Sequence, residues 1–379
     1  MNITATRPFF PNLDGLRTLA CAGVFLYHTL FMYAFLWTPH EAPVYHYGLR
    51  LLSLGTMGVN FFFVLSGFLI TYLLLHEEAY QGHINLLGFY WRRVLRIWPV
   101  YFACLAFGFW VVPWWMHAAG QPWHDTARPE LYLTFLANLD MVDPKAFSLG
   151  VLWSVAVEEQ FYVLWPLLLL LFTRWRPGAV ILVLLASLLF RYAHATDPVV
   201  LYQHTLAVVS DMALGGGAAW LAFSRPSFRE WVSRWPRAVI VVGYLAGFCL
   251  LVGQKYFADG TLGITFQRSL RGMFFVFVVL EQNYATHSWF KAGRSRSLTY
   301  WGKFTYGFYC LHPVSIFVVV FCFDRLHLPH TLPTVLALTA LCLPFSLALA
   351  WVSYYYWERP FLRLKYRYTA EPEPAPSYK

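Results

Sequence analysis

The chain has 379 residues, of which 59% are hydrophobic, 20% aromatic and 12% charged, with a formal net charge of +9. A typical soluble domain carries about 25% charged residues, so the composition excludes an ordinary soluble protein and indicates a polytopic membrane protein. The stock of 17 Trp, 24 Tyr and 34 Phe suits interfacial aromatic belts and helix packing.

Apolar stretches follow one another near residues 16–37, 58–75, 97–115, 160–172, 178–192, 205–223, 238–254, 264–281, 300–322 and 333–356. The first begins with an arginine and is followed by many more, so it reads as a retained span rather than a cleaved signal peptide. The stretch at 160–172 is short for a span that needs about 20 residues. Its helix is therefore expected to start near Ser154, which draws Glu158 and Glu159 into or beside the membrane. Ten spans put both termini on one side. With the N-terminus inside, nineteen Lys and Arg fall in cytoplasmic segments and six in the opposite loops, which sets the orientation. The expectation is an all-α, polytopic integral membrane protein of about ten transmembrane helices with cytoplasmic N- and C-termini. One membrane domain is expected over residues 8–366, followed by a short disordered cytoplasmic tail at 367–379, rich in Pro and Glu.

The basic excess is thus a topology signal and an attraction to anionic lipid, with no nucleic-acid module in view. The cysteines, Cys21, Cys104, Cys249, Cys310, Cys322 and Cys342, all fall in these apolar stretches, with none paired at metal-ligand or redox spacing. They read as buried small hydrophobes, and no metal set is expected.

In the first span, Arg17 and His28 are eleven residues apart. At about 100° per residue that spacing returns a helical side chain to within roughly 20° of its starting direction, roughly 16 Å further along the axis. An arginine at one membrane surface then holds a histidine near mid-bilayer on the same face. An ionisable group there is a functional-site candidate by default.

Several ordered motifs carry a family resemblance: LDGLRTLACAGVFLYH at 13–28, GVNFFFVLSGFLIT at 58–71, FYWRRVLRIWPVYF at 89–102, WSVAVEEQFYVLWPLL at 153–168, YGFYCLHP at 306–313 and WERPF at 357–361. Together they resemble the acyltransferase 3 family of integral-membrane acyltransferases, and the likeness runs up to about residue 366. It implies transfer of an acyl group, usually acetyl from acetyl-coenzyme A, to a hydroxyl of a carbohydrate or other acceptor at the bacterial cytoplasmic (inner) membrane. The family's Arg, ten residues, His pattern falls on Arg17 and His28, and its Arg-x-x-Arg pattern on Arg93 and Arg96. Some members carry a fused extracytoplasmic hydrolase-like domain, and none is expected within these 379 residues.

The chemistry of the side chains points the same way. A sugar hydroxyl needs a base, and histidine near neutral pH supplies about 10² to 10⁴-fold in that role. His28 is the expected catalytic base, against the plainer reading of a histidine bonded to a neighbouring helix. Arg93 and Arg96, joined by Arg17, suit the phosphates of an acyl-coenzyme A donor, whereas positive-inside anchoring would explain ordinary interfacial arginines. A donor held there would extend its pantetheine arm up the bundle towards His28. One of Glu158 and Glu159 is expected to face inward and to orient His28 or the acceptor; the alternative is a helix-start carboxylate near a Ser154 cap. Glu358 is expected to pair with Arg359 or the mouth arginines, and Asp14 to support Arg17. Ser66–Gly67 and Gly215–Gly217 read as close helix contacts, and His312 as a partner for a backbone group freed by Pro313.

Acetyl-CoA, or another acyl-CoA, is the expected co-substrate, with no permanently bound cofactor and no metal. The acceptor is a cell-envelope glycan, glycolipid or other hydroxyl compound. Direct attack on the thioester and a transient acyl-protein intermediate both fit. The rival readings are a transporter that exports a glycan or lipid-linked intermediate, which calls for paired broken helices in two related halves, and a non-catalytic acyl-CoA-binding membrane scaffold.

Overall fold

The computed structural model describes residues 8–38, 52–123, 126–140, 147–253, 256 and 259–368. Residues 369–379 of the expected tail lie outside them. Among the described residues, ten helices make the body of the fold. They are α1 (Pro11–Trp37), α2 (Ser53–Gln81), α3 (Leu86–Ala118), α4 (Leu152–Leu171), α5 (Pro177–Ala193), α6 (Ser210–Ser224), α7 (Arg237–Val252), α8 (Gly260–Tyr284), α9 (Thr305–Arg325) and α10 (Leu332–Leu364). No strand occurs among the described residues. Seven of these helices are long and apolar enough to cross a membrane, and there are eight if α7 and Pro226–Ser233, bent by 91° to each other, count as one span. The helices over the expected spans at 178–192 and 205–223, α5 and α6, are shorter, at 17 and 15 residues. The fold is all-α and polytopic.

Local chemistry explains the helix ends. Proline occupies the first turn of α1, α5 and α10, where its missing N–H costs nothing. The Asn85 side chain caps α3 by accepting from Gly88 N at 2.8 Å. Gly82, at φ 80°, stops α2 in the left-handed region.

Three π-helical turns interrupt the long helices, at Tyr27–Phe31, Phe107–Val111 and Ser353–Glu358. The first contains His28 and the last ends on Glu358. Such turns commonly re-aim functional side chains, and the 100° spacing from Arg17 therefore applies only as far as Leu26.

The centre is set by α2 and α6, which approach almost backbone to backbone. A Cβ on Gly67 would run into the Met212 carbonyl, and one on Gly215 into the Val64 carbonyl. The close-contact reading of both glycine motifs holds. Pins between distant segments close the rest. Asn12 donates to Gln282 O at 2.7 Å and accepts from Gly293 N at 2.9 Å, and Glu78 takes Arg176 at 2.5 Å. Gln160, midway along α4, donates to Phe135 O and Asn138 Oδ1, each at 2.8 Å. The segment before α4 thus lies against the middle of that helix.

Two expectations need correction. Cys249 and Cys322 are exposed, whereas the other four cysteines are buried: these two lie on outward faces of α7 and α9. Arg191, one of the six Lys and Arg expected in the loops opposite the cytoplasmic side, is buried. Its guanidinium donates to the carbonyls of Thr265, Leu201, Ala207 and Ile264 and staples α5 to α8 and the segment before α6.

Candidate active site

His28 and His312 meet across α1 and α9. Nδ1 of His28 lies 3.0 Å from Nε2 of His312, and the rings stack at 5.1 Å with 25° between their planes. His312 is 1% exposed and His28 half-buried. The remaining ring nitrogen of His312 faces Phe308 O at 3.3 Å. A carbonyl oxygen only accepts, so His312 Nδ1 carries the hydrogen, and in a neutral ring its Nε2 is then an acceptor. His28 must donate from Nδ1, which leaves His28 Nε2 with a free lone pair. The reading of His312 as the partner of a backbone group near Pro313 thus describes one of its nitrogens, and the other holds His28.

A second cluster lies on α2 and α4. Ser66 Oγ donates to Glu158 Oε1 at 2.8 Å, Tyr162 Oη donates to Glu158 Oε2 at 2.9 Å, and the two hydroxyls are 3.1 Å apart. Arg93 of α3 stacks over the Tyr162 ring at 5.5 Å, and both Arg93 and Arg17 lie within electrostatic reach of Glu158. Arg17 is itself held by Asp14 at 2.8 Å. The structure thus brings Arg17, Arg93 and Glu158 together, with Asp14 behind Arg17.

Tyr309 joins the two clusters. Its ring lies 6.0 Å from that of His312, and its hydroxyl meets Ser154 Oγ at 2.7 Å. Ser154 stands one turn before Glu158 on α4, and Tyr309 is in turn within electrostatic reach of Glu158. Ser154 is not the cap of α4, because Val151 holds that position; the hydroxyl turns back to Val151 O at 3.0 Å and across to Tyr309. The helix-start alternative for Glu158 therefore lacks its cap.

The two adjacent glutamates diverge. Glu159 accepts from the Trp98 indole at 3.3 Å through Oε2, while its buried Oε1 has no partner. Glu358 accepts from Ser353 at 2.9 Å and presses against Gly307 of α9. Among the described residues it makes no ion pair, so pairing with Arg359, whose guanidinium lies over Tyr355, does not occur. Arg96 is within electrostatic reach of Glu358 and Tyr354, one turn from Arg93 along α3.

Sequence reasoning missed Ser66, Tyr162 and Tyr309. Ser66 reads in the sequence as a helix contact, because its carboxylate partner is 92 positions away. Tyr162 could have been found, since it lies four residues after Glu158 and therefore on the same helix face.

A family model described as an acyltransferase domain matches residues 10–354. Over 288 residues the chain is 27% identical to the peptidoglycan O-acetyltransferase OatA of Listeria monocytogenes, an alignment covering 67% of this chain and 40% of that protein. Over 181 residues it is 33% identical to the O-acetyltransferase OatA of Staphylococcus aureus, covering 46% of this chain and 27% of that one. The chain thus spans at most 40% of the length of these relatives. No solved structure gives a significant match.

Proposed function

Because the chain belongs to the acyltransferase 3 family, matched over residues 10–354, we propose that it is a multi-pass O-acyltransferase of the bacterial cytoplasmic membrane. It moves an acetyl group from acetyl-CoA to a hydroxyl of a cell-wall glycan or glycolipid. The two relatives described above, O-acetyltransferases by name and one of them of peptidoglycan, support the acceptor class.

The observation that carries the reading is the hydrogen-bonded run from His28 through His312 to the Phe308 carbonyl. It supports the His28 tautomer whose Nε2 lone pair can act as the base, the role a second partner commonly plays for a catalytic imidazole. The acceptor hydroxyl gives its proton to His28 Nε2 as its oxygen attacks the thioester carbon. The tetrahedral intermediate then collapses, the C–S bond breaks, and the leaving thiolate takes the proton from the imidazolium. The enzyme returns to its starting state with an ester and free coenzyme A as products.

Arg17, Arg93 and Arg96 hold the donor phosphates, for which guanidinium forks are suited. Glu158, with Ser66 and Tyr162 on its two oxygens, sits between those arginines and Tyr309 and orients the acceptor hydroxyl. Asp14 fixes Arg17, and Glu358 supports the wall of α9 near Arg96. Glu159, anchored to Trp98, sets the turn of α4 that presents Glu158.

The test is reconstitution of the purified full chain with labelled acetyl-CoA and a crude membrane glycan extract. Thioester consumption with label on a glycan, lost in His28→Ala, is the expected result. Donor binding without consumption across varied acceptors would overturn the enzyme reading in favour of a scaffold. A folded sample that neither binds nor consumes acetyl-CoA would favour a transporter or another donor.

A further inference from the structure

A second group of charges is buried away from the histidine pair. Arg268 of α8 is 4% exposed and Asp211 of α6 fully buried, and they pair at 2.6 Å. Arg191 and Arg271 act electrostatically on the same carboxylate, so three guanidiniums share their field with one carboxylate. Arg191 spends its donors on backbone carbonyls, as described above. The Arg268–Asp211 pair is incompletely satisfied: Arg268 Nε and Asp211 Oδ1 are buried without partners. Buried charge is expensive inside a membrane bundle unless compensated. A buried donor left open on Arg268, in the field of neighbouring guanidiniums, is a place where an anion would be stabilised.

What lies beside these charges is aromatic. The Arg268 guanidinium is 5.9 Å from the Phe63 ring, Phe63 meets Trp153 edge-on at 6.1 Å, and Trp153 lies against Tyr202 at 5.0 Å. Tyr202, in the short helix Pro198–Gln203, is 43% exposed. The run is buried at Phe63 and Trp153 and ends on the exposed Tyr202, the ring whose face a sugar can reach, with a cationic group at its inner end.

The run also borders the proposed catalytic centre. Phe62, next to Phe63 on α2, touches Tyr309 at 6.0 Å; Ser154, next to Trp153 on α4, bonds the Tyr309 hydroxyl. Adjacent residues on two helices therefore face the cationic cluster on one side and the histidine pair on the other. Tyr202 follows the C-terminal end of α5 and precedes α6, at the opposite end of α5 from Arg176, which joins the ion pair with Glu78 at the close of α2.

We propose that Arg268, with Arg271 beside it and Trp153 and Tyr202 as its aromatic wall, forms a binding subsite for an anionic sugar, the acceptor entering from the end of the bundle opposite the basic donor mouth. This rests on the acyltransferase reading for the word acceptor, and on the charge cluster and aromatic run for the subsite itself. The anionic group is a sugar carboxylate or a sugar phosphate, both of which a guanidinium fork recognises.

The experiment is thermal unfolding of the purified full chain in detergent, titrated with glucuronate, glucose 6-phosphate and glucose, with acetyl-CoA consumption followed in parallel on the same preparations. A ligand that binds only the folded chain raises the midpoint with concentration. The expected result is a rise with one or both anionic sugars and none with glucose, the stronger of the two identifying carboxylate or phosphate. Arg268→Lys keeps a cation for Asp211 while losing the fork, and Tyr202→Ala changes an exposed ring, so both are expected to fold. Each should weaken the apparent affinity for the anionic sugar about tenfold, since Arg and Lys are not equivalent at a forked site.

A response to glucose equal to that of the charged sugars, no response to any of them, or unchanged affinity in both variants would overturn the subsite. Failure of the acyltransferase reading looks different: the sugars shift the midpoint through Arg268 and Tyr202, but acetyl-CoA is not consumed with any acceptor.

Discussion

His28 and His312 are 284 positions apart in the chain, and their ring nitrogens are 3.0 Å apart in the fold. In the proposed mechanism His28 is the base and His312 its positioning partner, since only His312 has its far nitrogen on a backbone carbonyl. His28→Ala should lower kcat by about 10² to 10⁴-fold, the usual worth of a general base, while acetyl-CoA binding stays at the wild-type level. His312→Leu should lower kcat on the order of 10²-fold through misorientation, with the donor KM unchanged. His312→Gln, whose amide oxygen can accept from His28 Nδ1, should recover part of that loss. Steady-state kinetics with both variants check this, and equal kcat for Leu and Gln would refute the positioning role.

Arg93 has a different signature. Arg93 is half-buried, and its guanidinium is braced by the rings of Phe89 and Tyr162, each at 5.5 Å. A hydrogen bond to a charged group is worth about 1.5–3 kcal/mol, so Arg93→Ala should raise the acetyl-CoA dissociation constant about 10- to 100-fold. Equilibrium binding of labelled acetyl-CoA to Arg93→Ala and His28→Ala separates the roles. An equal loss of binding in both would sink the assignment.

The span pattern was legible because apolar segments long enough to cross a membrane leave a composition signal that tertiary context hardly alters. The early start of α4, with Glu158 and Glu159 drawn inside, followed from helix length alone. The divergence of those two carboxylates did not, because it depends on Ser66 of α2 and Trp98 of α3, far away in sequence. His28 was readable from its depth beneath Arg17, whereas its tautomer depends on α9. The buried pair of Arg268 and Asp211 stayed hidden for the same reason: the arginine lay inside a proposed span, but its carboxylate is 57 positions earlier.

Glu158 accepts two hydroxyl donors, and its substitution tests whether it is a structural acceptor or part of the chemistry. Glu158→Gln keeps the shape and one acceptor oxygen, so the unfolding midpoint in detergent should remain close to wild type. If the carboxylate orients the acceptor hydroxyl, kcat should nevertheless fall, on the order of 10²-fold. Ser66→Ala, which leaves the Tyr162 donor in place, should cost far less. A Glu158→Gln enzyme with wild-type kcat would reduce Glu158 to a packing role.

Gly67 and Gly217 provide an internal control on how the centre is packed. A methyl group on Gly67 would meet the backbone carbonyl of Met212, which belongs to a helix and has nowhere to retreat. Overpacking of this kind costs about 1–3 kcal/mol and sometimes more, and it would push α6 away from α2 and strain the Ser66 and Glu158 contact next to it. A methyl on Gly217 meets only the Val180 side chain, at 3.2 Å, where a rotamer adjustment suffices and the higher helix propensity of alanine offsets the cost by up to about 1 kcal/mol. Gly67→Ala should therefore lower the unfolding midpoint and kcat together, whereas Gly217→Ala should leave both near wild type. Thermal unfolding and turnover measured on the two variants side by side decide it: equal midpoints would mean that α2 and α6 are not held at backbone contact, and the arrangement of Glu158 built on that contact would fall with it.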